Sequence, residues 1–245
     1  NLGFRGANVP YEKPAGALRV LGLGDSYTFG AYVNDSETWP AQLEDDLRAR
    51  LPGGAVQVIN AGISGFTITD ELAFLAEHGM ALSPDAVVIA FVLNDLADLT
   101  RKVSSREMIR KSALENENSL MGPVRVHLRQ TAIYNTLFLL KARWRKSAGT
   151  DPTLQEVDIR HLLTDSWDTK TRELFSLYEA QLARMKRLID EEGRRRGRAI
   201  PLLLVLYPYW EQISQSATDH AQQEMIGLAA RTGVAVVDLL PAYRR

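Results

Sequence analysis

Five short apolar runs, separated by stretches with helical periodicity, constrain the fold of this chain more than any other feature. The runs are Leu18–Leu23, Ala55–Ile59, Ala86–Leu93, Ile200–Leu206 and Val234–Val237. They are rich in β-branched residues and continuously apolar, the pattern of strands covered on both faces. Between them, Trp39, Leu43, Leu47 and Leu51 recur every four residues, with Pro40 in the first turn and Pro52-Gly53-Gly54 as the stop. A second helix is expected from about Thr69 to Met80. A long one carries Leu174, Tyr178, Leu182, Met185 and Ile189, with Gly193 as its C-terminal stop. A last one covers Asp219–Arg231. Strands alternating with helices predict an α/β fold, a flavodoxin-like three-layer sandwich. The expected five-stranded parallel sheet has the order 2-1-3-4-5. Residues 1–245 read as a single domain.

One region breaks the alternation. Residues 96–170 carry no strand signal and read as a helical insertion after the third strand. From Asn118 to Thr150 the basic residues Arg125, Arg129, Lys141, Arg143, Arg145 and Lys146 meet no acid, beside an apolar stripe of Ile133, Leu137, Leu140 and Trp144. A helix packed on the sheet with a solvated basic face accounts for this. A lid over the catalytic edge, or membrane contact through 125–146, are the alternatives. Elsewhere charge is balanced: 29 Lys and Arg against 30 Asp and Glu give a net charge of −1. No global attraction to nucleic acid follows. The chain has no cysteine, which excludes thiol catalysis and Cys-based zinc sites. The histidines, His78, His127, His161 and His220, lack metal-ligand spacing.

Three strand ends deliver chemistry to one edge. Gly22-Leu23-Gly24-Asp25-Ser26 follows the first strand and places a hydroxyl at the carboxyl edge, where open α/β sheets hold their ligands. The second run leads into Asn60-Ala61-Gly62, a glycine turn with an unobstructed backbone N–H. The third ends in Asn94-Asp95, which brings a carboxamide. A hydroxyl nucleophile ringed by N–H donors suits acyl transfer, because the donors stabilise the oxyanion by about 3–4 kcal/mol each. Asp25 is read as accepting backbone hydrogen bonds in its turn. Tyr207, Tyr209 and Trp210 follow the fourth strand and, with Tyr27, are candidate walls of a substrate pocket, although an aromatic loop packing on its own helix accounts for them equally. Arg194-Arg195-Arg196 reads as a solvated helix end.

Taken together, Gly24-Asp25-Ser26-Tyr27, Gly62 and Asn94-Asp95 resemble three of the four blocks of the SGNH hydrolases, also called the GDSL family. Tyr27 stands where the family name has Leu, and Val92 where the third block has glycine. The resemblance implies a serine hydrolase of esters that needs neither metal nor organic cofactor. Ser26 would be the nucleophile, Ser26 N–H, Gly62 N–H and Asn94 the oxyanion hole, and Asp25 and Asp95 supporting groups. The substrate would be a small-molecule, glycan or lipid ester. Asn1–Arg5 and the Glu37-Thr38 region are similar to a bacterial branch whose members are often exported. The family's fourth block, Asp-x-x-His after the last strand, is read as having no counterpart between Asp238 and Arg245 or anywhere else in the chain. The expectation is that the chain is cut short and the Asp–His pair lies outside it, with no histidine within reach of Ser26. His220, in a helical pattern before the last strand, is the alternative base. Two other readings stay open. One is a catalytically inactive module of this fold that binds a carbohydrate or a protein. The other is a dinucleotide-binding domain, invited by Gly22-x-Gly24 but opposed by Tyr27 in place of a third glycine and by Asn60 in place of an acid.

Overall fold

The structure, a computed structural model of the chain, describes residues 4–6, 8–51, 53–101, 106–107, 109–111 and 158–245. The basic stretch 125–146 lies outside the described residues. The chain divides into two compact units, Asn1–Leu99 with Val157–Arg245, and Thr100–Glu156. The first unit carries the sheet and every candidate site residue. The described residues of 96–99 and 158–170 fall in this unit, so the second unit is narrower than the stretch read as an insertion.

Five strands, β1 (Leu18–Leu23), β2 (Val56–Asn60), β3 (Ala86–Phe91), β4 (Leu202–Leu206) and β5 (Ala235–Asp238), form one parallel sheet in the order β2-β1-β3-β4-β5. This is the expected order, and each strand falls within two residues of its apolar run. Alternate side chains leave opposite faces of a strand. Leu21, Leu23, Ile59, Ile89, Phe91 and Leu204 point into the larger core. There they meet α3 (Ile68–Phe74), α5 (Thr169–Arg195) and α7 (His220–Thr232). Val20, Val56, Val58 and Val88 point the other way, against Trp39, Leu43 and Leu47 of α2 (Trp39–Arg50). Each fully buried aliphatic side chain contributes roughly 1.5–3 kcal/mol of burial. Phe91 also meets Tyr178 of α5 edge to face, with ring centroids 5.1 Å apart.

The structure corrects several expectations. β5 is not covered on both faces: it pairs only with β4, and Val237 is 41% exposed. Gly193 does not stop α5. It lies inside the helix, where a Cβ would come within 2.7 Å of the Arg198 carbonyl oxygen. The left-handed residue that turns the chain is Gly197, φ +68°. Arg196 is not solvated, since its guanidinium donates to the carbonyls of Met80 and Pro84. The helix expected over 69–80 begins at Ile68, then loosens through a π turn at Leu75–Gly79 and a 3₁₀ turn at Met80–Leu82. There Gly79 packs against Leu75 and Leu21.

Candidate active site

The site is built at the carboxyl ends of β1, β2 and β3. After β1 the chain turns at Gly24 (φ +148°), where a Cβ would strike the Thr28 hydroxyl at 2.2 Å. It then enters the one-turn helix α1 (Ser26–Phe29), with Ser26 its first residue. Asp25 caps α1: its Oδ1 accepts from Tyr27 N–H at 2.9 Å. Its Oδ2 accepts from the Asn94 amide at 2.8 Å and lies 3.5 Å from the Ser26 hydroxyl. Asn94 opens α4 (Asn94–Asp98), which follows β3 directly. The Tyr209 hydroxyl donates to Asn94 Oδ1 at 3.3 Å. The Asn94 carboxamide is thus held at both ends, which fixes which atom is nitrogen, and its second N–H proton is not used by Asp25.

Gly62 packs directly on α1. A Cβ there would lie 2.4 Å from Phe29 N and 2.7 Å from the Thr28 carbonyl carbon, so only glycine allows this approach. Its N–H donates to Asn60 Oδ1 at 3.1 Å. The backbone of this turn is tied to β1, with Ala61 N–H bonded to Gly22 O and Ile63 N–H to Gly24 O. The Ser26 N–H belongs to the first helical turn, whose donors have no partner within the helix. Ser26, Gly62 and Asn94 are therefore brought together, with Asp25 between Ser26 and Asn94.

Beside Ser26 lies a groove of about 480 Å³, walled by Tyr27, Tyr32, Trp39, Tyr207 and Tyr243, with Glu37, Thr38 and Gln42 among its polar groups. Tyr27 and Tyr207 sit ring to ring at 5.9 Å. Burial pushes the Tyr207 hydroxyl up to about 12 and raises those of Tyr27 and Tyr209. Tyr207 thus lines the groove, whereas Tyr209 serves Asn94. Trp210, the first residue of the short helix α6 (Trp210–Ile213), is 73% exposed and does not line the groove. Tyr243 was missed from sequence because its place depends on α8 (Leu240–Tyr243) folding back beyond β5.

Two carboxyls beside the site are costly to ionise. Burial, and next the charge of Asp25, push Glu71 and Asp95 well above the usual carboxyl range; Asp70 adds to the effect on Glu71, and Glu71 to that on Asp95. The Val92 N–H, which donates to Asp95 Oδ2 at 3.0 Å, offsets this in part. Among the described residues, Glu71 Oε1 and Asp95 Oδ1 have no hydrogen-bond partner. A raised folded-state pKa means that the native state holds its proton to higher pH than the unfolded state, so stability falls as pH climbs above the carboxyl range. Glu71→Gln should therefore melt higher than the wild type at pH 8, by about 2–4 °C for each kcal/mol recovered. The gap should close as pH falls toward about 4. A gap independent of pH, measured by differential scanning calorimetry, would contradict this assignment.

Among the described residues, no histidine is hydrogen-bonded to Ser26. His220 opens α7 and meets the Trp167 ring edge-on at 4.1 Å, in a separate cavity of about 540 Å³ whose lining includes none of Ser26, Gly62 and Asn94, so it is not placed as the base. His78 lies against Phe74. His127 lies outside the described residues. The expectation that Asp-x-x-His occurs nowhere in the chain is wrong: the spacing is present at Asp158–His161, ahead of β4. There Asp158 caps its own short helix by accepting from Arg160 N–H, and His161 Nε2 lies 3.8 Å from Asp168. Among the described residues no group of three or more His, Asp and Glu could hold a metal ion, and no helix is long and apolar enough to cross a membrane.

The sequence profile of the GDSL-like Lipase/Acylhydrolase family matches residues 23–245. An arylesterase from Vibrio mimicus is 32% identical over 124 residues, covering 49% of this chain and 61% of the relative. The match thus spans less than two thirds of that relative's length. Among solved structures, a catalytic mutant of Axe2, an acetylxylan esterase from Geobacillus stearothermophilus, is 18% identical with a TM-score of 0.49, over 95% of this chain and 81% of that one. AlinE4, a SGNH-hydrolase family esterase, is 17% identical with a TM-score of 0.45, over 94% of this chain and 80% of the other.

Proposed function

The chain belongs to the GDSL-like lipase/acylhydrolase family, and on that footing we propose that it is a serine hydrolase acting on carboxylic esters of small molecules or glycans. The observation that carries the reading is the Asp25 carboxylate shared between the Ser26 hydroxyl and the Asn94 amide. It joins the end of β1 to the end of β3 around one point.

In the proposed reaction the Ser26 oxygen attacks the ester carbonyl carbon while its proton passes to a base. The carbonyl oxygen becomes an oxyanion, met by Ser26 N–H, the free proton of the Asn94 amide, and Gly62 N–H. Gly62 N–H would share its proton between Asn60 Oδ1 and the oxyanion. Collapse expels the alcohol, which takes the proton back, and leaves an acyl ester on Ser26. Water, deprotonated by the same base, then releases the acid. The base is assigned to an Asp–His pair that is not among the residues placed around Ser26. Charge on the oxyanion is fully developed only in the tetrahedral state, so donors fixed in advance act mainly on turnover.

Asn94→Ala should lower kcat by about 10²–10³ with little change in KM. Steady-state kinetics on p-nitrophenyl acetate reads both constants. A change confined to KM would make Asn94 a binding group and remove it from the oxyanion hole. Protein that binds an acetylated sugar but hydrolyses no ester would instead support a non-catalytic binding module.

A further inference from the structure

Arg5 lies outside the family match, which begins at residue 23, yet it joins two walls of the site. Its backbone forms an isolated antiparallel bridge with Asn60, whose side chain accepts from Gly62 N–H. Its guanidinium donates to the carbonyls of Phe29 (2.7 Å), Gly30 and Val33, and to the Asp35 carboxylate at 2.7 Å. The guanidinium carbon also sits 5.0 Å from the Phe29 ring centroid. The side chain is only 15% exposed.

These acceptors span the stretch that leaves α1, and Gly30, Ala31, Tyr32 and Val33 within it line the groove beside Ser26. The stretch is tied at its start by Gly30 and Ala31 N–H to Ser26 O and at its end by Asn34 N–H to Glu37 Oε2 and by Thr38 donating to Asp35 O; between them lies Val33 N–H to Gly30 O, and Tyr32 is fully exposed. Gly30 takes φ +75°, and a Cβ there would come within 3.2 Å of Arg5 Nη1. A planar fork of five donors can satisfy several carbonyls and a carboxylate at once, which a lysine ammonium cannot.

We infer that Arg5 is a positioning residue that holds the 29–35 stretch as the groove wall and so sets affinity for esters large enough to touch it. The inference rests on the ester-hydrolase reading of Ser26. Arg5 touches no reacting atom, so its effect belongs in KM and not in kcat. A small ester that reaches only Ser26, Gly62 and Asn94 does not use the wall.

The test compares the whole protein as wild type, Arg5→Ala and Arg5→Lys on two acetate esters, ethyl acetate and 2-naphthyl acetate, with amide hydrogen exchange measured on the same proteins. In Arg5→Ala, KM for 2-naphthyl acetate should rise about tenfold with kcat little changed. Ethyl acetate kinetics should barely move, and Arg5→Lys should recover only part of the loss. Exchange at Gly30–Asp35 should quicken while β1 and β3 stay protected. Unchanged exchange in that stretch, an equal effect on both esters, a loss confined to kcat, or full rescue by lysine would overturn the inference. A wild type that hydrolyses neither ester removes the ester reading, and the role in affinity with it. An active wild type whose 29–35 stretch ignores Arg5→Ala removes the inference alone.

Discussion

Ser26→Ala should reduce ester hydrolysis by roughly 10⁴-fold or more, to the residual rate that an oxyanion hole sustains by itself. The fold should survive. Ser26 is the first residue of α1 and half-buried, its hydroxyl makes only a long 3.5 Å contact to Asp25, and the cap of the helix is Asp25, not Ser26. Alanine is also the better helix former, so removing one oxygen leaves no buried void and no lost cap. A melting temperature close to that of the wild type, with activity gone, is the expected pair of results. Full activity in the variant would place the nucleophile elsewhere.

Asp25→Asn should be almost as damaging, for a different reason. The carboxylate is 1% exposed and accepts from Tyr27 N–H through one oxygen and from the Asn94 amide through the other. An asparagine has one acceptor where two are needed. If its oxygen keeps the α1 cap, its amino group faces the Asn94 amino group, donor against donor. If it turns to Asn94, the Tyr27 N–H loses its partner. Leaving one buried donor unpaired costs about 1–3 kcal/mol. In the first case Asn94 also loses the contact that aims it. Turnover should drop by about 10²–10³, the same range as direct loss of an oxyanion donor. The double variant Asp25→Asn/Asn94→Ala should be scarcely worse than either single change, because both act through one group. Effects that multiply in the double variant would show that Asp25 and Asn94 work independently.

Much of the architecture was legible in the sequence because parallel strands sandwiched between helices must be apolar throughout. That signal located β1 to β4 and their carboxyl ends, and with them Ser26, Gly62 and Asn94. It misjudged β5, whose Ala235 and Val237 are as apolar as core residues yet exposed: composition does not distinguish an edge strand paired on one side from a central one. Gly193 shows the converse problem. A glycine near a helix end reads as a stop, but here the missing Cβ makes room for the Arg198 carbonyl of the returning chain. The residues that organise the site were the hardest to read. Asp25 and Asn94 are 69 positions apart. Arg5 reaches the 29–35 stretch from before β1, and Tyr243 enters the groove from beyond β5. No local periodicity records contacts of that kind, because the sheet order creates them. The lack of a side chain that leaves the Gly62 N–H unobstructed also lets the turn rest on the backbone of α1.

The central claim is that Ser26 is an acylated nucleophile. Treatment of the whole protein with a fluorophosphonate, followed by peptide mapping by mass spectrometry, tests it most directly. The predicted result is a single phosphonyl adduct on the peptide that carries Ser26, lost in Ser26→Ala. An adduct on another residue, or an ester-hydrolysing protein that leaves Ser26 unmodified, would contradict it.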